Sequence, residues 1–440
     1  MIPPMATNAI PKFPAGFLWG VSTSAHQIEG AAELREPSVW DAFTAEPGRV
    51  KDGSTAATAC DHYHRYREDV ALLADLGVDA YRFSISWPRV LFDNGRGLDF
   101  YDRLVDELCA AGVRPVPTLF HWDLPVGLDW LERDTAARYA EYVQVVAERL
   151  GDRVKKWITI NEPAEHTLFG HALGAHAPGK RLMFDALPVA HHLLLAHGLG
   201  VQALRASGAT DIGIANSHGP TWPASQEQPD LEAAAFYDLL LNRLFAEPIL
   251  LGEYPDGLGE LMPGDVAADL KVISEPLDFY GVNYYAPTRV GAPQGEDIEF
   301  GGLTIPAELP FSVQEIEDVP VTDFGWPVVP EGLTELLTTF HERYGDRLPP
   351  LVITENGCSY EGLHDRARID YLDGHVRALH RASEAGVDVR GYFVWSLMDN
   401  FEWAEGYAQR FGLVHVDFTT QERTKKDSYA WYRSLLRAQR

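Results

Sequence analysis

Short apolar runs rich in β-branched and aromatic residues recur along the chain, and stretches with helical periodicity lie between them. In residues 67–76, for example, Val70, Leu73 and Leu76 fall on one face of a helix, and residues 139–150 repeat this pattern. The alternation predicts strands that are each followed by a helix. The predicted strands are residues 17–23, 80–86, 114–120, 156–161, 211–216, 279–284, 351–355 and 389–395.

Apolar strands that alternate with helices are typical of a parallel sheet covered by helices. Eight such units in 440 residues predict an α/β fold, a (β/α)8 barrel with long βα loops. A doubly wound sheet is the alternative, but no glycine-rich phosphate turn follows the first strand. We expect one catalytic domain over residues 13–440 and a poorly ordered tail over residues 1–12. Glycines predicted to end helices with positive φ are Gly77, Gly112, Gly151 and Gly386.

The longest stretch without periodicity covers residues 286–330 and is rich in glycine and proline. A loop of this length is usually functional or disordered. Because it follows the sixth predicted strand, we expect it to overhang the carboxyl-terminal face of the barrel.

Composition narrows the classes of function. The net charge of −27 disfavours nucleic acid and anionic membranes as partners, and no segment has the roughly 18 apolar residues of a membrane span. The N-terminus lacks a secretory-signal pattern. Cys60, Cys109 and Cys358 are too few and too scattered for a disulfide framework or a zinc site. These features predict a cytoplasmic, soluble protein; the oligomeric state stays open.

Two carboxylates follow apolar strands at positions where a barrel holds its chemistry. Glu162 directly follows the fourth predicted strand, and Glu355 ends the seventh. Active residues of such barrels lie at the carboxyl ends of the strands. One glutamate there could simply form an ion pair. Two across one barrel mouth suit glycoside hydrolysis, with one protonated as acid and one ionised as nucleophile or base.

Other strand ends carry side chains that suit a sugar. Polar groups bind sugar hydroxyls, and a tryptophan stacks on the apolar C–H face. A single tryptophan near a strand end is more often part of the core, but three at one face favour sugar binding. These residues are Gln27, His121, Trp122, Asp123, Asn283, Tyr284, Tyr285, Trp395, Glu402 and Trp403.

Taken in order, these segments resemble the family 1 glycoside hydrolases, the β-glucosidase family, from about Phe13 to Trp431. Asn-Glu-Pro alone would be a weak match, and the ordered set is specific. The matching motifs are FPAGFLWG (13–20), QIEG (27–30), DHYHRY (61–66), YRFSISWPR (81–89), HWDLP (121–125), NEP (161–163), TENG (354–357) and WSLMDNFEW (395–403).

The resemblance implies a retaining hydrolase of terminal β-D-glucosyl residues that needs neither cofactor nor metal. It implies Glu162 as general acid/base and Glu355 as nucleophile. Arg82 and Tyr285 would hold and tune the nucleophile, and Asn283 would support the same site. The implied sugar-binding residues are Gln27, His121, Trp122, Asn161 at the 2-hydroxyl, Trp395 as a platform, Glu402 and Trp403.

The chain departs from many bacterial relatives directly after the general acid/base. Ala164, Glu165 and His166 replace a bulkier and less polar stretch. We expect Glu165 and His166 to border the leaving-group site together with His176 and Trp326. The class of leaving group is therefore open, as is the preference for glucosides over galactosides or fucosides.

Three alternatives remain. A 6-phospho-β-glucosidase of the same family would resemble a branch that offers Ser, Lys and Tyr to the phosphate, whereas this chain has Glu402 in that loop. A non-catalytic sugar-binding barrel could lack one carboxylate, but both are present. A metal-dependent isomerase would need converging ligands, and the pairs His62/His64 and His191/His192 lack zinc-like spacing.

Overall fold

The computed structural model describes residues 10–255, 257–300 and 303–440. Its main sheet consists of eight parallel strands that pair in chain order and close into a barrel. Each predicted strand agrees with an observed one to within two residues at either end, so the (β/α)8 prediction is confirmed. The strands are β1 (Leu18–Ser22), β2 (Ala80–Ser84), β3 (Arg114–Phe120), β4 (Lys156–Asn161), β5 (Asp211–Ser217), β6 (Tyr280–Asn283), β7 (Leu351–Asn356) and β8 (Val389–Trp395).

A helix follows each barrel strand. These are α1 (His62–Leu76), α2 (Leu98–Ala110), α3 (Asp134–Leu150), α4 (Leu187–Ala206), α5 (Val266–Ile273), α6 (Pro330–Tyr344), α7 (Arg366–Glu384) and α8 (Asp427–Gln439). The connections hold further α-helices at Ala25–Ile28, Val39–Thr44, Trp87–Leu91, Pro163–Glu165, Gln228–Asp238 and Leu244–Leu250. They also hold 3₁₀ or π turns at Ala32–Leu34, Phe92–Gly95, His166–Ala172, Met183–Ala186, Leu239–Arg243, Gly259–Leu261, Gly345–Arg347 and Trp403–Glu405.

The predicted helix-ending glycines behave in two ways. Gly151 has φ −66°, so the prediction of positive φ is wrong there. The chain continues α3 in a right-handed turn, in which the Arg153 N–H donates to the Leu150 carbonyl. A Cβ on Gly151 would lie 2.6 Å from the Ala147 carbonyl oxygen, so space and not φ requires glycine. The glycines with the predicted positive φ are Gly77, Gly112 and Gly386.

One layer of side chains fills the barrel interior. The β1 backbone approaches this layer closely, because a Cβ on Gly20 would lie 2.3 Å from the Phe393 ring. The barrel is therefore packed inside, and open space lies beyond the strand ends. The layer consists of Leu18, Ala80, Val116, Ile158, Ala215, Phe279, Val352 and Phe393.

The stretch 286–330 is more regular than its sequence predicts. Thr288–Gly291 pairs antiparallel with Ser312–Gln314 and parallel with Thr221–Pro223, which follows β5. Ile298–Phe300 pairs with Leu303–Ile305. These short strands carry a separate apolar cluster, which stabilises the insertion beside the barrel mouth. A last hairpin pairs strands Val414–Val416 and Arg423–Lys425.

Residues 1–9 of the predicted tail lie outside the described residues. Just beyond them, Ile10 packs against the core, and the Pro11 carbonyl accepts a hydrogen bond of 3.1 Å from Gln439. Across the described part of the chain, no helix has the length and apolar character needed to cross a membrane.

Candidate active site

A cavity of about 760 Å³ lies at the carboxyl ends of the barrel strands. Segment 286–330 contributes to its wall, as predicted from its position after the sixth strand. The predicted site residues on the wall are His121, Trp122, Glu162, Glu165, His176, Tyr285, Trp326, Glu355, Trp395, Glu402 and Trp403.

Some of the remaining predicted residues stand directly behind this wall. Gln27, Arg82, Asn161 and Asn283 are buried, and each hydrogen-bonds to a wall residue. His166 differs, because its ring packs edge-on against Phe120 and His171 and does not line the cavity. We therefore leave His166 out of the proposed leaving-group site.

Glu355 lies near the end of β7, in register with Asn283 on β6. Its Oε1 accepts a hydrogen bond of 2.5 Å from Arg82 Nη1, and its Oε2 accepts one of 2.6 Å from the Tyr285 hydroxyl. Burial and the charge of Glu355 raise the pKa of Tyr285 well above 10, so this hydroxyl remains a donor. A guanidinium and a phenol that donate to separate oxygens suit an ionised carboxylate held in one orientation.

Arg82 is itself fixed by the barrel. Its Nε donates to Thr118 Oγ1 at 3.1 Å, its Nη1 also donates to the Thr354 carbonyl at 3.0 Å, and its Nη2 donates to Asn161 Oδ1 at 2.6 Å. The side chains of Arg82 and Glu355 are only 1% and 4% exposed. Removing one partner of a buried ion pair leaves the other charge unpaired, at a cost of about 3–5 kcal/mol.

Glu162 occupies the first position after β4. Its backbone is left-handed, with φ 46°, a strain that concentrates at functional sites. Its Oε1 accepts a hydrogen bond of 2.7 Å from Asn283 Nδ2. Burial raises the pKa of Glu162 well above its usual 4.5, and the negative charges of Glu355 and Glu165 raise it further. The cavity thus holds a carboxyl group whose protonated form is favoured, beside the arginine-bound Glu355.

Buried amides connect the two carboxyl groups. Asn283 Nδ2 also donates to Asn161 Oδ1 at 3.1 Å, and Asn161 Nδ2 lies 3.1 Å from His121 Nε2. Burial and the charge of Arg82 hold the pKa of His121 well below 6.5, so this ring is neutral. Its buried Nδ1 has no hydrogen-bond partner. The ring lines the cavity and keeps one buried polar atom without a hydrogen-bond partner.

Glu402 faces the same cavity from the loop after β8. Gln27 Nε2 donates to Glu402 Oε2 at 3.2 Å and to Asn400 Oδ1 at 3.0 Å. Burial raises the pKa of Glu402 to about 8, with help from the charges of Glu355 and Glu405. The resemblance suggests a hydroxyl acceptor here, and at neutral pH this carboxyl can also donate.

Aromatic rings form a continuous apolar surface beside these polar groups. The Trp122 and Trp403 rings are 4.7 Å apart, and the His121 ring stacks on Trp395 at 6.0 Å and on Trp403 at 5.8 Å. Trp40, which the sequence analysis did not single out, supports this surface from behind: its ring is fully buried, lies 4.6 Å from that of Trp403 and does not line the cavity. An apolar face beside polar groups is the surface that a sugar ring requires.

A model of the family described as Glycosyl hydrolase family 1 matches residues 10–440. The chain belongs to this family. It is 42% identical to β-glucosidase A of Thermotoga maritima over an alignment of 453 positions. The alignment covers 97% of this chain and 98% of that protein. The resemblance drawn from the motifs is therefore confirmed.

Solved structures agree with this assignment to glycosyl hydrolase family 1. A psychrophilic β-glucosidase from Micrococcus antarcticus superposes with a TM-score of 0.92 and 44% identity, covering 99% of this chain and 100% of that one. The Thermotoga maritima β-glucosidase in complex with glucoimidazole gives a TM-score of 0.90 and 42% identity, covering 97% and 99% of the two chains.

The apolar character of the far side of the cavity in this family 1 chain was not predicted from the sequence, although segment 286–330 was expected to overhang this face. Much of its wall is apolar and comes from Gln228–Asp238 and from segment 286–330. The sequence signal that could have indicated this apolar wall is the set of isolated apolar residues in segment 286–330, which was predicted to be a loop. No cluster of three or more His, Cys, Asp or Glu side chains within the described residues could hold a metal ion.

Proposed function

We propose that this chain is a retaining, exo-acting β-glucosidase that hydrolyses the terminal β-D-glucosyl residue of O-glycosides or short oligosaccharides. The observation that carries the proposal is the pair Glu162 and Glu355 in one cavity. Burial and neighbouring negative charges raise the pKa of Glu162, and a guanidinium and a phenol hold Glu355. The names of the family 1 relatives support the same substrate class.

In the first step, a carboxylate oxygen of Glu355 attacks the anomeric carbon while the bond to the leaving group breaks. Glu162 gives its proton to the departing oxygen, and a covalent glycosyl ester forms on Glu355. In the second step, the Glu162 carboxylate takes a proton from water, whose oxygen attacks the anomeric carbon and releases Glu355. Two inversions at that carbon give overall retention.

The remaining site residues position the glucosyl ring in this proposal. Trp395 is the platform, and Asn161 contacts the 2-hydroxyl. Because the paired Gln27 and Glu402 can serve an axial or an equatorial 4-hydroxyl, we also propose secondary activity on β-galactosides and β-fucosides.

Anomeric retention tests this mechanism directly. Proton NMR of the first sugar released from nitrophenyl β-glucoside should show the β-anomer before mutarotation. The expectation rests on carboxyl groups about 5–5.5 Å apart, the spacing of retaining enzymes. An α-anomer as first product would contradict the assignment of Glu355 as nucleophile.

Discrimination against 6-phosphoglycosides tests the closest alternative. Glu402 and Glu405 stand in the loop after β8, and the nearby cations Lys51 and Arg49 pair with Glu405 and Glu46. The phosphate of a 6-phosphoglycoside would lie close to these carboxylates, and like charges in contact cost several kcal/mol. At about pH 8.5, above the Glu402 pKa of about 8, nitrophenyl β-glucoside should have a kcat/KM at least about 10²-fold above its 6-phosphate.

Glu402→Ser should narrow this gap, mainly by impairing cleavage of the neutral substrate. A wild-type preference for the phosphorylated substrate would favour the phosphoglucosidase alternative.

We also propose a cytoplasmic location and a single domain over residues 13–440. The three cysteines are unpaired, which suits a reducing compartment. One hydrophobic cluster extends from Phe13 to Leu436, which supports one cooperative unit. Cell fractionation tests the location, and a single calorimetric unfolding transition tests the domain.

A further inference from the structure

The cavity continues past the carboxyl pair into a region of different chemistry. We call its boundary the apolar wall. The Tyr237 and Phe311 rings of this wall meet edge-on at 5.1 Å, so its surface is packed. The apolar wall consists of Leu173, Tyr237, Ile305, Leu309, Phe311 and Val313.

Glu165 introduces a carboxyl group into this region. It lies on the short helix Pro163–Glu165, three residues after Glu162, and lines the same cavity. The pKa of Tyr237 is raised to about 12, mainly by burial and further by the negative charge of Glu165. Glu165 therefore lies close to the apolar wall. Burial raises the pKa of Glu165 itself to about 7, and a hydrogen bond from Ser217 opposes this rise.

The carboxyl group of Glu165 is incompletely satisfied. Its Oε2 is buried and has no hydrogen-bond partner in the described structure. None of the cavity-lining cations Arg49, Lys51 and Arg181 forms an ion pair with Glu165 in the described structure, and Arg49 and Lys51 pair instead with Glu46 and Glu405. A buried acceptor without a partner is unfavourable. Because Glu165 as a whole is only half-buried and lines the cavity, a rotation of its carboxyl group lets a ligand donor reach an oxygen and removes this cost.

We propose that Glu165 determines leaving-group specificity, and that the preferred leaving groups combine an apolar ring with a hydroxyl or protonated amine that donates to Glu165. This inference rests on the proposed function, because it assigns the leaving-group part of the same reaction. The apolar wall packs on the ring, and Glu165 accepts from the donor. A second glucose unit fits less well, since the apolar wall would strip water from hydroxyls without replacing their hydrogen bonds.

Four phenyl β-D-glucosides test the proposal, with ethyl, hydroxymethyl, aminomethyl or carboxymethyl at the meta position. A methylene separates each polar group from the ring and reduces the difference between the phenols as leaving groups, and the same ratios measured in Glu165→Gln correct for the difference that remains. In the wild type, we expect kcat/KM for the aminomethyl substrate to exceed that for the ethyl substrate about tenfold, as a charge-assisted hydrogen bond allows. The carboxymethyl substrate should be the poorest. Equal rates, or a preference for carboxymethyl, would overturn the proposal.

The pH dependence of one ratio isolates Glu165. The aminomethyl-to-ethyl ratio of kcat/KM should rise from pH 6 to pH 8, because Glu165 ionises near pH 7 while the amine remains protonated. Taking the ratio within one enzyme cancels effects that are common to both substrates. Measuring the same ratio in Glu165→Gln corrects for the charge that Glu162 or Glu402 gains on ionisation, which acts on the cationic substrate alone. A ratio independent of pH would contradict the assignment.

Two Glu→Gln variants each remove one carboxylate charge from the cavity, and the second serves as the control for the first. Glu165→Gln should collapse the aminomethyl-to-carboxymethyl ratio toward one and retain acceptance of the hydroxymethyl group. Glu405→Gln removes a carboxylate from the same cavity, where Glu405 pairs with Lys51, and should keep the wild-type ratio. If Glu165→Gln keeps that ratio, the proposal is wrong; if it does not fold, the wild-type order and its pH dependence decide.

The outcomes separate this inference from the proposed function. Failure of the wild type to hydrolyse any of the four glucosides would refute the β-glucosidase activity itself. Hydrolysis of all four with no effect of the donor group would refute only the role of Glu165.

Discussion

Replacing Glu355 by alanine is expected to lower kcat on nitrophenyl β-glucoside by about 10⁵-fold or more, the scale seen when a covalent nucleophile is deleted. The reason is that the methyl side chain of alanine offers no oxygen to the anomeric carbon, so no glycosyl ester forms. The variant also leaves the buried Arg82 guanidinium without its carboxylate partner. Thermal unfolding must therefore be measured beside kcat, to separate lost chemistry from lost folding.

Azide provides the decisive measurement on the same variant. In the space left by the carboxylate, azide can attack the anomeric carbon directly, and one inversion gives the α-glucosyl azide. Glu342→Ala, at an exposed position of α6, is the matched control and should keep wild-type turnover without azide dependence. A folded Glu355→Ala protein that azide does not activate, or that still releases β-glucose at wild-type rate, would refute the role of Glu355.

The barrel and its two carboxyl groups could be predicted because both depend on local sequence. Apolar, β-branched runs specify buried parallel strands, and closure of the barrel brings every strand end to one face. Glu162 and Glu355 therefore meet although nearly two hundred residues separate them. The raised pKa of Glu402 was not predictable in this way, because the charges of Glu355 and Glu405 act on it only after the chain has folded.

Motif membership alone did not separate structural from functional residues. In the motif QIEG, Gln27 donates to Glu402 in the cavity, whereas Glu29 accepts from Arg89 Nε at 2.6 Å and from the Tyr101 hydroxyl at 2.7 Å. Glu29 and Arg89 form a buried ion pair that does not line the cavity. Two positions of one motif thus differ in their surroundings, since Gln27 contacts a cavity residue and Glu29 forms a buried ion pair, and only three-dimensional contacts distinguish them.

The leaving-group side was the least predictable part of the site. Its short strands pair with Thr221–Pro223, a segment that follows another barrel strand and is distant in sequence. His166 shows the same limit. It is four residues after Glu162, yet the local helical turns direct its ring toward Phe120 and His171. A segment predicted to border the site therefore contributes Glu165 but not His166.

Replacing Glu162 by alanine should have an effect that depends on the leaving group. A nitrophenolate departs with little protonation, whereas an alkoxide requires a proton from the enzyme. We expect the formation of the glycosyl ester to slow by about 10²- to 10⁴-fold on an alkyl β-glucoside and by much less on a dinitrophenyl β-glucoside, as measured by pre-steady-state kinetics. Equal losses on the two substrates would contradict the role of Glu162 as acid.

The pH profile of Glu162→Gln completes this argument. Burial and two neighbouring carboxylates raise the pKa of Glu162. The wild type should therefore lose kcat/KM at alkaline pH as this acid deprotonates. Both limbs of the profile belong to the coupled pair of carboxyl groups. Glutamine cannot ionise and keeps the shape of the side chain. On a dinitrophenyl β-glucoside, which this variant can still cleave, the alkaline limb should therefore disappear. If that limb persisted unchanged, another group would control it, and the proton donor would have to be sought elsewhere on the cavity wall.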